Sequence, residues 1–133
     1  MRLKALATAI SAVVIAAFVG FCSSDNPLSP YHPEITNETD NFQFQITAAE
    51  NLDYTTSYSW RNTGDRASIN QACAVTGGSA TLMISDSTGA MLYTRDLADN
   101  GTFHSTSGAP GRWTIRVIFT SLDGTINFRV QKM

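Results

Sequence analysis

The sequence predicts an all-β domain, an antiparallel β-sandwich of immunoglobulin-like or jelly-roll type with seven to eight strands, placed behind an N-terminal export segment. Three observations carry this reading. From Phe42 onward apolar and polar residues alternate with period two. Clusters of Gly, Asn and Asp with turn chemistry recur at short intervals. Beyond the leader, no stretch keeps a helical period. Short strands at even spacing bury one face each, which two packed sheets or a closed barrel can satisfy.

Residues 1–21 have the layout of a signal peptide. Arg2 and Lys4 form a positive start, and Ala5 to Phe21 is apolar or small and carries no charge. The run is also at the lower limit of what crosses a bilayer, so a retained anchor is the competing reading. Cys22 follows directly, with Ser23, Ser24, Asp25, Asn26 and Pro27 behind it. Residues 22–40 then read as a flexible tether. Pro27, Pro30 and Pro33 interrupt regular hydrogen bonding, Glu34, Glu38 and Asp40 favour solvent, and His32 reads as a solvated linker residue. The folded domain is expected to span 41–133.

Within it, Phe42, Phe44, Ile46 and Ala48 share one face of a first strand, and Leu52, Tyr54, Tyr58 and Trp60 share one face of a second. Asn62 to Asp65 ends that run. Ala67, Ile69, Cys73 and Val75 make a third apolar face, and Gly77-Gly78 turns the chain into Ala80, Leu82 and Ile84. Asp86 to Gly89 reads as a hairpin turn into residues 90–97, and a weaker strand follows near 102–106. Trp113, Ile115, Val117 and Phe119 alternate with polar neighbours. Ser121 to Gly124 reads as a turn, and Ile126, Phe128 and Val130 complete a terminal hairpin.

The chain is mildly acidic at net −2, and its basic residues are scattered singly, which excludes the electrostatic footprint of a nucleic-acid binder. Two Cys and two His suit neither a disulfide framework nor a zinc cage, and no cofactor is expected. Trp60, Trp113, Tyr54 and Tyr58 fall in phase with buried neighbours and read as core. Cys73 reads as a small buried hydrophobe. Asp86, Asp99 and Asp123 read as turn formers rather than calcium ligands, so no metal site is expected. Catalysis is not expected either. His104 is the single histidine of the domain, with Ser105, Ser107, Asp96 and Asp99 near it only in sequence, and no nucleophile elbow, zincin motif or phosphate loop occurs. Phe103 and His104 interrupt an otherwise polar segment from Asp99 to Gly111, which makes that segment the candidate binding loop.

Two resemblances add to this. Val19-Gly20-Phe21-Cys22 resembles a bacterial lipoprotein signal, which implies that Cys22 becomes the first residue and carries acyl chains, palmitate among them. Ser23 behind it implies an outer-membrane destination. The stretch GAPGRWTIRVIFTSLDGTINFRVQ, residues 108–131, resembles the closing hairpin of bacterial pre-peptidase C-terminal domains and the P domain of secreted proteases, and TLMISDSTGAMLYT, residues 81–94, is similar to the strand, turn, strand unit before it. That likeness implies a non-catalytic accessory module. The expectation is therefore an exported cell-envelope protein, in the outer membrane or periplasm or released as a secreted form. It would be held to a membrane through its acylated N-terminus and would bind a protein or carbohydrate partner at the cell surface. A structural subunit packing edge to edge in a surface assembly is the alternative.

Overall fold

The computed structural model describes residues 26–133, so the signal segment and Cys22 lie outside the described residues. A 3-10 turn over Ser29–Tyr31 leads into seven strands: β1 (Glu34–Glu38), β2 (Asn41–Asn62), β3 (Ala67–Gln71), β4 (Ala74–Ser85), β5 (Met91–Asp96), β6 (Gly101–His104) and β7 (Gly111–Lys132). All pairings are antiparallel, in one sheet of order β1-β2-β7-β3-β6, with β4 hydrogen-bonded to β7 and β5 to β4. Among the described residues, no helix is long and apolar enough to cross a membrane.

Strands β2 and β7 contain 22 residues each. Drawn straight, such a strand would run about 70 Å at roughly 3.3 Å per residue. Yet the N–H of Asp40, just before β2, donates to the carbonyl of Arg61 near its far end at 2.9 Å. Strand β2 therefore doubles back, and β7 doubles back with it, paired along almost its whole length. The crease is built from β-bulges. Register shifts lie between Ile46 and Tyr54 on β2, opposite Leu122 to Gly124 of β7, and between Val75 and Ser79 on β4. Positive φ angles mark the same line: Ala48 at 53°, Asn51 at 46°, Ser121 at 45°, Gly78 at 66° and Gly124 at 138°. A bulge leaves backbone groups without a ladder partner. Side chains replace some of the missing bonds: Asn51 N–H donates to Asp123 Oδ1 and Ser121 N–H to Asp53 Oδ1, each at 2.8 Å, and Ala48 N–H to Thr125 Oγ1 at 3.0 Å.

The crease divides one sheet into two layers, which gives the sandwich-like all-β architecture. The first layer holds β1, the early half of β2, the late half of β7, β3 and β6. The second holds the late half of β2, the early half of β7, β4 and β5. Their inner faces meet in an aromatic core, with Phe44 against Phe119 at 6.2 Å between ring centroids and Phe42 against Tyr58 at 5.3 Å. Most of the alternating residues expected to be core are buried, from Phe42, Phe44 and Ile46 to Ile126, Phe128 and Val130, and Tyr54, Tyr58 and Val75 are half-buried against them. Ala48 is instead exposed, because the bulge after Ile46 shifts the period and buries Ala49 in its place.

Four expectations need correction. Phe42–Ala48 and Leu52–Trp60 are one bent strand. Ser121 to Gly124 is not a turn, and the terminal hairpin is a single strand, β7. Gly77-Gly78 lies inside β4 as a bulge. In each case residues with turn chemistry supply the unusual backbone angles, but a neighbouring strand continues the hydrogen bonding on either side, so the chain bends without reversing. The fourth correction concerns the domain start. The fold does not begin at 41: Leu28 is buried in the core, Tyr31 Oη donates to Glu50 O at 3.3 Å, and Glu34 to Glu38 pair with Gln45 to Asn41. Proline at the start of the 3-10 turn suits that geometry, and β1 is an edge strand held through its backbone, so its side chains carry no apolar alternation.

Candidate functional site

Phe103 and His104 are not in a loop. They occupy β6, an edge strand, and as consecutive strand residues they project to opposite faces. Phe103 pairs with buried Ile69, faces inward and is half-buried, with the Arg95 guanidinium 3.8 Å from its ring centroid. Arg95 also lies 3.5 Å from Asp99. His104 pairs with Ser68 on the outward face and is exposed. The structure thus separates the two residues of the expected binding loop.

The Phe103 side is a seam that closes the gap between the β5 and β6 edges. Buried Gln71 joins the layers there: its Nε2 donates to Asp96 O at 3.1 Å and Asp99 O at 2.6 Å, and its Oε1 accepts from Tyr93 Oη at 2.7 Å. Burial pushes the Tyr93 phenol up to about 12, which keeps it a donor at ordinary pH. Next to the seam, the Cys73 thiol is enclosed between the N–H and carbonyl of Asn127 at 3.3 and 3.4 Å, and burial raises its pKa, the opposite of what a reactive thiolate requires.

Trp60 and Trp113 are fully buried and pack edge to face at 5.9 Å, as a directly opposed pair of β2 and β7. Of the turn aspartates, Asp86 accepts from the N–H groups of Thr88, Ala90 and Ala109 and from the Thr88 hydroxyl. Asp123 braces the crease, and Asp99 pairs with Arg95 at the seam. They lie in three separate places, and the described residues contain no group of three His, Cys, Asp or Glu that could hold a metal ion.

The two outward faces remain. On the first layer, rungs such as Thr36-Gln43-Arg129-Asn70-Thr102 and Glu38-Asn41-Gln131-Ser68-His104 run across five strands. These side chains partly satisfy one another: Gln131 Nε2 donates to Asn41 Oδ1 at 3.3 Å and Asn70 Nδ2 to Thr102 Oγ1 at 3.0 Å. The depression beside Glu34, Gln43 and Asn127 measures only about 70 Å³, room for a few waters.

The outward face of the second layer differs in charge. The Trp60–Trp113 register places Arg61 directly opposite Arg112, and Arg116 lies further along β7 in the rung Ser57-Arg116-Met83-Thr94. All three arginines are exposed. Among the described residues the ion pairs are Arg95–Asp99 and Lys132–Asp40, so none of these three has a carboxylate within 4.0 Å. Beside Arg116 lies a shallow depression of about 210 Å³ over Met83, Ser85, Gly89, Met91 and Thr114. Sequence reading placed Arg112 and Arg116 on a wet face but missed the cluster, because Arg61 joins it only through the pairing of two distant segments. The one available signal was the Arg-Trp order at 112–113 mirrored as Trp-Arg at 60–61, which opposes the like residues in an antiparallel pair.

Comparison with family models, with curated proteins and with solved structures returns no match.

Proposed function

We propose that this chain is an exported, lipid-anchored protein of the bacterial cell envelope that works as a non-catalytic binding module. The location rests on the sequence: a charged start, an apolar run, and Cys22 at its end, acylated once residues 1–21 are removed. The fold supports the binding role. Its conspicuous polar groups, Asp86, Asp123, Gln71 and Asn100, are engaged in holding bulges, turns and the seam together, and His104 stands on an outward rung beside Ser68 and Gln131.

The observation that carries the reading is the second-layer face, where three exposed arginines are left without a carboxylate partner, Arg116 Nε donating only to the Ser57 hydroxyl at 3.3 Å, in a chain that has more acidic than basic residues. Self-assembly through strand edges has less support. The gap between β1 and the late half of β2 is bridged by Asn37 Nδ2 donating to Ser59 O at 2.8 Å and Trp60 Nε1 to Glu38 O at 2.9 Å, which takes up edge carbonyls that strand addition would use. The test is the intact mass and fractionation of the native protein. The expected result is a chain starting at Cys22, heavier by its acyl chains and recovered with the envelope. An unprocessed chain dissolved in the cytoplasm would overturn the proposal.

A further inference from the structure

The geometry points to the Arg61, Arg112 and Arg116 face as a docking surface for an anionic polysaccharide, an inference that rests on the binding-module reading and names its ligand class. Like charges directly opposite in an antiparallel pair repel, so Arg61 against Arg112 is unfavourable to the fold unless something anionic covers them. Arg116 continues the positive line about 13 Å along β7, four residues at roughly 3.3 Å each. Acidic side chains at the margins of this layer accept backbone N–H groups, Asp96 Oδ1 from Ala98 and Asp53 Oδ1 from Ser121, each at 2.8 Å, and Asp86 Oδ2 from Ala109 at 2.8 Å, and none of them lies within 4.0 Å of the three arginines. Among the described residues no carboxylate pairs with the arginines of this face, and the guanidinium fork matches carboxylate, sulfate or phosphate on a ligand.

The surroundings select among polyanions. Between the arginines the rungs present hydroxyls, with Ser59 beside Thr114 and Ser85, and Ser57 beside Arg116. Hydroxyls suit the hydroxyls of a sugar chain, and Met83 and Met91 offer a soft apolar floor for the C–H face of one ring. At about 210 Å³ the depression is smaller than an enclosing small-molecule pocket, typically 300 to 1,000 Å³, and fits an extended chain lying across a flat sheet. A bilayer surface fits less well. Met91 is the one large apolar side chain of this face that is strongly exposed, and interfacial insertion needs a contiguous apolar patch. An acidic peptide adding as a strand would need a free edge, and this is the flat of the sheet.

The test uses the full chain in non-ionic detergent with polygalacturonate, dextran sulfate, neutral dextran and vesicles containing phosphatidylglycerol as probes. One or both charged polysaccharides should bind, weakening as salt rises, while neutral dextran does not. R61S/R112S/R116S should bind roughly tenfold or more weakly, as expected when three charge-assisted donors are lost, with an unfolding midpoint no lower than the parent's, because the side chains are exposed and the Arg61–Arg112 repulsion is removed. R129S, on the opposite face, should bind like the parent. Equal binding of neutral dextran, an unaffected triple variant, an equal loss in R129S, or binding to the vesicles alone would each overturn the inference. The fractionation result is independent of these, so a failed polysaccharide assay with an acylated envelope protein removes the ligand and leaves the location.

Discussion

Asp86 shows how a carboxylate in this fold can be charged, largely hidden and structural at once. Its Oδ1 takes the Thr88 and Ala90 N–H groups and the Thr88 hydroxyl. Its Oδ2 takes the Ala109 N–H at 2.8 Å, tying the β4–β5 turn to the segment before β7. The Ala109 bond leads the effects that hold its pKa down to about 2 from an ordinary value of 3.8. The folded-state value is the depressed one, so the stability that Asp86 contributes is fully present above pH 3.8 and is lost as pH falls through about 2. Asp86→Asn sets an amide N–H₂ against either Ala109 N–H or the turn donors. Urea midpoints of parent and variant should differ at neutral pH and converge toward pH 2, and a gap that stays constant with pH would contradict this account.

At the scale of elements, the bulges decide the architecture. A β-carbon at Gly124 would collide with the Ala74 carbonyl, and one at Gly78 with the Ser121 carbonyl, in addition to the strain of positive φ. Gly89, at φ +92° in the β4–β5 turn, has open space around it. Gly124→Ala is therefore expected to cost more than Gly89→Ala, the former about 3 kcal/mol or more and the latter within the roughly 1 to 3 kcal/mol of backbone strain alone. Equilibrium denaturation of the two variants checks the order. Equal losses would mean that the close approach of β4 to β7 is not a constraint.

At the scale of the molecule, the doubled-back sheet brings both ends of β2 together and places the residues before Asn41 on its open edge. Lys132 N–H donates to Asp40 O at 3.1 Å, Asp40 N–H to Arg61 O, and Thr63 N–H to Asp40 Oδ1 at 2.8 Å, so the start of β2 is held from three directions. A chain shortened to begin at Asn41 loses β1 and Leu28. It should lose at least the about 1.5 to 3 kcal/mol of burying one leucine, and it exposes the β2 edge from Asn41 to Gln45. Lower urea midpoints together with concentration-dependent sedimentation are the expected outcome. An unchanged midpoint would show that β1 and Leu28 add nothing to the domain.

Alternation alone determined the fold class and most of the core, because a strand with one wet face must write its period into its side chains: Phe42 to Ile46, Trp113 to Phe119 and Ile126 to Val130 are buried as their spacing implied. The likeness of Ser121 to Gly124 and Gly77-Gly78 to turns was also present in the residues, but a turn and a bulge use the same backbone angles. Only the presence of a paired strand on both sides decides between them. β1 was invisible because a backbone-held edge strand imposes no hydrophobic pattern. Phe103 and His104 were adjacent in sequence and so looked like one patch, while strand geometry sends them to opposite sides. Arg61 and Arg112 were distant in sequence and became neighbours through the β2–β7 register. Side-chain burial is a local property that sequence period records; proximity between segments is set by pairing across the crease, and that belongs to the tertiary structure.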